Sequence, residues 1–179
     1  MKFFEVFELD IDKTLADLYQ DVEVERVVAS RSRNEVKVYL QSRRIISYKN
    51  IKRMEQQIKR QLFGRSRNTV AIYDNYSLSA QYTPEKLFTI IRDSLLEELK
   101  SRSIIEFNVL NTAEVRFEDN KMFLKLKDSF LVQNVLSELK KFLEDIFVGR
   151  FNMQVHVNFE LIEVTEEELE DHIIDWDDL

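Results

Sequence analysis

The chain has 179 residues, 44% of them hydrophobic, and carries a formal charge of −7. It contains no cysteine, which excludes disulfides, thiolate metal centres and a cysteine nucleophile. Two glycines and one proline leave no material for a glycine-rich phosphate cradle, and no apolar run approaches the roughly 20 residues of a membrane-spanning helix.

The opening "MKFFEVFELDIDK" breaks its apolar residues with acids and shows no small-residue cleavage site, so it does not read as a secretory leader. A cytoplasmic protein is expected. Phe3, Phe4, Phe7, Leu15, Leu18 and Tyr19 are spaced for one or two short helices. "VEVERVVAS" and "EVKVYLQS" alternate as strands joined across residues 31–34, with Val36, Val38 and Leu40 facing one way and Lys37 and Tyr39 the other. Ser47 is placed to cap a helix running to about Phe63, with Ile51, Met54, Ile58 and Leu62 on its apolar stripe and Gly64 past its end. "NTVAIYD" supplies a third strand.

The second half repeats this order. Thr83-Pro84-Glu85 is a helix start, and Leu87, Ile90, Ile91, Leu95 and Leu99 form that helix's apolar face. A shorter helix over "SIIEFNVL" follows, then a hairpin of "TAEVRFED" and "KMFLKLKD" around Asp119-Asn120. A helix over 130–147 leads to the strand "FNMQVHVNFEL", expected to bury Phe151, Met153, Val155, Val157, Phe159 and Leu161. The fold class is therefore α+β: two small α-β-β-α-β domains, residues 1–78 and 79–164, followed by an acidic linker or tail, 165–179. In that ending Ile173, Ile174 and Trp176 are set among acids, and its composition favours a solvated linker over a docking motif.

Charge is distributed unevenly. Residues 22–67 hold thirteen Lys or Arg against four acids, whereas 163–179 hold nine acids and no Lys or Arg. On the helix after Ser47, Lys49, Lys52, Arg53, Lys59 and Arg60 fall on an arc opposite the apolar stripe. Arg31 and Arg33 at one turn, Arg43 and Arg44 at a second, and Arg65 and Arg67 at a third extend this into a candidate surface for nucleic acid or an acidic protein. A helix over a sheet also needs a soluble outer face, which Lys and Arg supply. Only Tyr39 and Tyr48 lie near the patch, giving little support for base stacking.

Catalytic readings are thin. "FELDIDKTL" has the Asp-x-Asp-x-Thr order of dehalogenase-type phosphatases, with Asp10 as nucleophile, Asp12 as acid/base and Thr14 in support. That chemistry needs a parallel sheet with crossover helices, whereas hairpins follow here, and Asp10 or Asp12 serves equally as a helix cap. His156 and His172 have no partner at metal-ligand spacing. No catalytic residue, metal or cofactor is expected.

The α-β-β-α-β order resembles the type II KH arrangement, more so in the second half, although Gly64-Arg-Ser-Arg and the lone Gly149 lack the Gly-x-x-Gly loop that clamps nucleic acid in that family. A closer match runs through "VERVVASRSRNEVKVYLQSRRIISYKNIKRMEQQIKRQLF", which resembles the first N-terminal domain of PolC-type DNA polymerase III of low-GC Gram-positive bacteria. "KLFTIIRDSLLEELKSRSIIEFNVLNTAEVRFEDNKMFLKLKD", followed by "FELIEVTEEELED", is similar to that family's second N-terminal domain and its charged exit. The resemblance implies a non-catalytic segment of a DNA-directed DNA polymerase with 3′–5′ exonuclease, the catalytic acids lying beyond Leu179. It also implies a first domain similar to the polymerase-binding terminal domain of the clamp-loader tau subunit. The implied partners are replisome proteins such as clamp-loader or other polymerase components, and DNA, with no membrane and no small-molecule substrate. A free-standing KH-like nucleic-acid-binding protein is the alternative.

Overall fold

The computed structural model describes residues 1–165; the acidic segment with His172, Ile173, Ile174 and Trp176 lies outside the described residues. The first half runs α1 (Phe3–Val6), α2 (Lys13–Tyr19), β1 (Glu23–Ser30), β2 (Glu35–Ser42), α3 (Tyr48–Ile58) and β3 (Thr69–Tyr76). The second runs α4 (Pro84–Arg102), α5 (Ile104–Thr112), β4 (Glu114–Glu118), β5 (Lys121–Lys127), α6 (Phe130–Glu144) and β6 (His156–Ile162). Both halves thus have the order α-α-β-β-α-β.

The sheets repeat as well. In each, the first two strands form an antiparallel hairpin and the third adds beside the second in parallel, giving the orders β1-β2-β3 and β4-β5-β6. A parallel pair needs a crossover, and α3 and α6 provide it. The helices start at side-chain caps: Ser47, Thr83, Ser103 and Ser129 each accept a backbone N–H three residues on.

Both crossover helices end in a wider, π-type turn, Lys59–Phe63 after α3 and Asp145–Arg150 after α6. The extra residue in the turn corrects one expectation. Ile51, Met54 and Ile58 are buried, but Leu62 is 46% exposed, and Phe63 packs against the core instead. The last strand also starts later than its alternation suggests. Asn152 takes a left-handed backbone (φ 54°), and Phe151 donates its N–H to the Ile146 carbonyl, so 151–155 is a turn and connector before β6. Phe151, Val155 and Val157 are buried as expected, whereas Leu161 is 41% exposed near the strand's end.

Each sheet has one covered face. Val36, Val38, Leu40 and Ile72 of the first sheet, and Met122, Leu124, Leu126 and Val157 of the second, are buried. The buried residues of both halves form one continuous cluster. Tyr76 and Phe151 stack across the junction, Asn75 donates to the Gly149 carbonyl at 2.7 Å, and Asn152 donates to the Tyr76 carbonyl at 3.1 Å. Beside them Arg150 makes a two-pronged pair with Glu98, at 2.5 and 2.8 Å. Burial works against the Arg150 charge, yet its bonds to Glu98 and the nearby Asp74 raise its pKa further above the usual range.

Candidate functional site

The basic residues of the first half separate along the length of the sheet. Asn34 accepts the backbone N–H of Thr69 at 2.8 Å, so the turn carrying Arg31 and Arg33 lies beside the loop carrying Arg65 and Arg67. Lys59, at the far end of α3, joins the same end by donating to the Ser66 carbonyl. Arg60 follows it and bonds Gln57 at 2.7 Å. Arg31, Arg33, Arg65 and Arg67 are all exposed.

Arg43, Arg44 and Lys49 sit at the opposite end, after β2 and in the first turn of α3, and are also exposed. The eight residues of β2 set the two ends about 25 Å apart. Between them Lys52 and Arg53 are committed within the fold. Lys52 bonds Glu55 at 2.8 Å, and Arg53 bonds Asp12 at 2.7 Å and Asn50 at 3.2 Å. The continuous arc expected along α3 is therefore two clusters, with the larger at the end holding Arg31, Arg33, Lys59, Arg60, Arg65 and Arg67.

Glu55 explains the commitment of Lys52. It is buried and uses its other oxygen to accept the backbone N–H of Ile72 at 2.9 Å, tying α3 to β3. Burial opposes the Lys52 charge, but the Glu55 hydrogen bond and charge outweigh it and raise the Lys52 pKa above 10.5. Tyr76 hydroxyl donates to Asp74 at 2.6 Å, and burial followed by the Asp74 charge pushes its pKa up.

The aspartates of the phosphatase-like string have structural partners. Asp12 caps α2, accepting the Leu15 N–H at 3.0 Å, and that bond foremost, with Arg53 in support against slight desolvation, lowers its pKa below 3.8. The Asp10 backbone is bridged in both directions by the Gln61 amide at 2.8 Å. Neither stands at the end of a β-strand, where that chemistry would place its nucleophile. Among the described residues no group of three or more His, Asp or Glu is gathered to hold a metal ion, and no helix is long and apolar enough to cross a membrane.

The feature that sequence reasoning undervalued is the uncovered face of the first sheet. Tyr39 of β2 and Tyr73 of β3 stand opposite each other in register and stack, with ring centroids 5.0 Å apart and planes 17° from parallel. Arg26, opposite Tyr39 on β1, lies 4.0 Å above the Tyr39 ring centroid, and Lys37 lies 5.7 Å from that of Tyr73. The alternation of β2 placed Lys37 and Tyr39 on this face; the pairing of Tyr39 with Tyr73 follows from the parallel register of β2 and β3, which periodicity does not fix.

No curated protein and no solved structure matches the chain. Residues 2–72 match the family model described as DNA polymerase III polC-type N-terminus I, which supports reading the first half as N-terminal sequence of a PolC-type replicative polymerase.

Proposed function

We propose that the chain is the non-catalytic N-terminal interaction region of a PolC-type DNA polymerase III, docking replisome protein partners during chromosome replication. The family match over residues 2–72 carries the reading. The second half, 79–164, is taken as the KH-like second N-terminal domain, which agrees with its repeating the first half's topology. The first is taken as the counterpart of the tau terminal domain. This segment then needs no cofactor, and its work is recognition.

The cationic end of the first half is the proposed docking site. Arg31, Arg33, Arg65 and Arg67 are exposed on two adjacent loops, free to meet an acidic protein surface or DNA phosphates. Biolayer interferometry of the chain against purified clamp-loader subunits and other polymerase components tests this. A saturable complex with at least one of them is expected, and no complex with any of them sinks the reading.

A further inference from the structure

We infer that the uncovered face of the β1-β2-β3 sheet binds single-stranded nucleic acid by extending the Arg26–Tyr39–Tyr73 stack onto an unpaired base. This surface adjoins the proposed docking loops and shares Arg33 with them, but its stacking rings lie outside them and it does not depend on the replisome reading.

Three observations carry the inference. First, the stack is built as a ladder across the sheet: Arg26 over Tyr39 at 4.0 Å, then Tyr39 against Tyr73 at 5.0 Å. It ends on the edge strand, where Tyr73 is 44% exposed. An aromatic rung at the open end of a stack offers a π-face to any base. Second, the surrounding charge suits a phosphate backbone. Arg26 has no ion pair among the described residues, and Arg33 and Lys37 line the same shallow depression as Arg26 and Tyr39. Glu35 lies there too, 3.5 Å from Lys37, and offsets part of that charge.

Third, the second sheet repeats the arrangement without the same properties. Arg116 lies 4.0 Å over Phe123, directly opposite it across the hairpin as Arg26 is opposite Tyr39, but two residue pairs nearer the turn. There, however, Glu118 and Glu160 both clasp Arg116. The third strand places Asn158, not an aromatic, opposite Phe123. The same topology thus carries an uncommitted cation and a two-ring stack in one half, and a neutralised cation and a single ring in the other.

The chemistry favours a nucleic-acid strand over an acidic protein. Carboxylates are repelled by the electron-rich faces of Tyr39 and Tyr73, whereas bases stack on them and phosphates pair with the flanking cations. It also favours a single strand over a duplex, because bases inside a helix have no free face to offer.

The test titrates the full chain into fluorescein-labelled oligodeoxythymidylate, following anisotropy at several salt concentrations. Tyr73→Ala is expected to weaken binding about tenfold, Tyr73→Phe to preserve it, and Arg26→Glu to weaken it and flatten the salt dependence. Phe123→Ala, which removes the Arg116-capped ring of the second sheet, is expected to bind as the parent does. Oligouridylate in parallel tells whether the strand is DNA or RNA, either of which supports the inference. The inference is overturned if the parent chain does not bind either oligonucleotide, if folded Tyr73→Ala binds unchanged, or if poly-glutamate binds this face as tightly as the oligonucleotide.

Discussion

Tyr76 and Phe151 stack across the junction of the two halves with ring centroids 4.7 Å apart and planes 10° from parallel. Both are buried, at 1% and 6% exposure, and Phe151 is delivered by the turn that delays β6. Truncating either to Ala is expected to cost about 3–5 kcal/mol. A double-mutant cycle should return a coupling of about 0.5–1.5 kcal/mol, measured by urea denaturation. Additive losses would mean that the rings fill space independently.

Glu55 holds β3 and Lys52 at once, so replacing it strands two donors. Glu55→Ala leaves the Ile72 N–H without its acceptor and is expected to destabilise by about 2–4 kcal/mol. Glu55→Gln keeps a carbonyl oxygen for Ile72 and should lose clearly less. Chemical denaturation of the two variants gives the comparison.

The Asp12 cap sets a pH dependence on the acid side. Its carboxylate is favoured in the fold, chiefly by the Leu15 N–H and then by Arg53, so its folded pKa lies below 3.8. Its contribution is complete above that unfolded value and disappears as pH falls through the lower folded one. The difference in denaturation midpoint between the parent and Asp12→Asn should therefore be constant near neutrality and shrink below about pH 4. A difference that persists undiminished at lower pH would place the stabilisation elsewhere.

Gly64 ends the π-type turn with φ 47° and ψ −122°, a backbone that side chains rarely adopt. A Cβ there would meet nothing within 4 Å, so the penalty for Gly64→Ala is conformational and not steric. A loss of about 1–2 kcal/mol is expected, read as a lower melting temperature. Pairing the variant with hydrogen exchange at 64–68 should show the change confined to that loop.

Much of the fold was legible because its signals are local. Ser47 and Thr83 mark helix starts through hydrogen bonds to residues three positions on, and the β2 alternation assigns faces without knowledge of any neighbour. What stayed hidden depends on distant partners or on a change of period. Leu62 fits the α3 stripe at 3.6 residues per turn, and only the wider turn at its end swings Phe63 inward in its place. Lys52 and Arg53 look like free surface cations until Glu55 and Asp12 come beside them. Tyr39 looked isolated because Tyr73 reaches it through a parallel register set across the α3 crossover. The joining of Arg31 and Arg33 with Arg65 and Arg67 comes from that same register, through the Asn34–Thr69 contact.

The most direct test of the docking account compares charge reversal at the two ends of the first half against the replisome component that the chain binds. Glu substitutions at Arg31, Arg33, Arg65 and Arg67 should abolish the complex, while Glu substitutions at Arg43, Arg44 and Lys49 should leave its Kd within about twofold. Circular dichroism confirms that both variants fold. Loss of binding from the Arg43, Arg44 and Lys49 set alone, with the loop-end set binding as the parent does, would contradict the account.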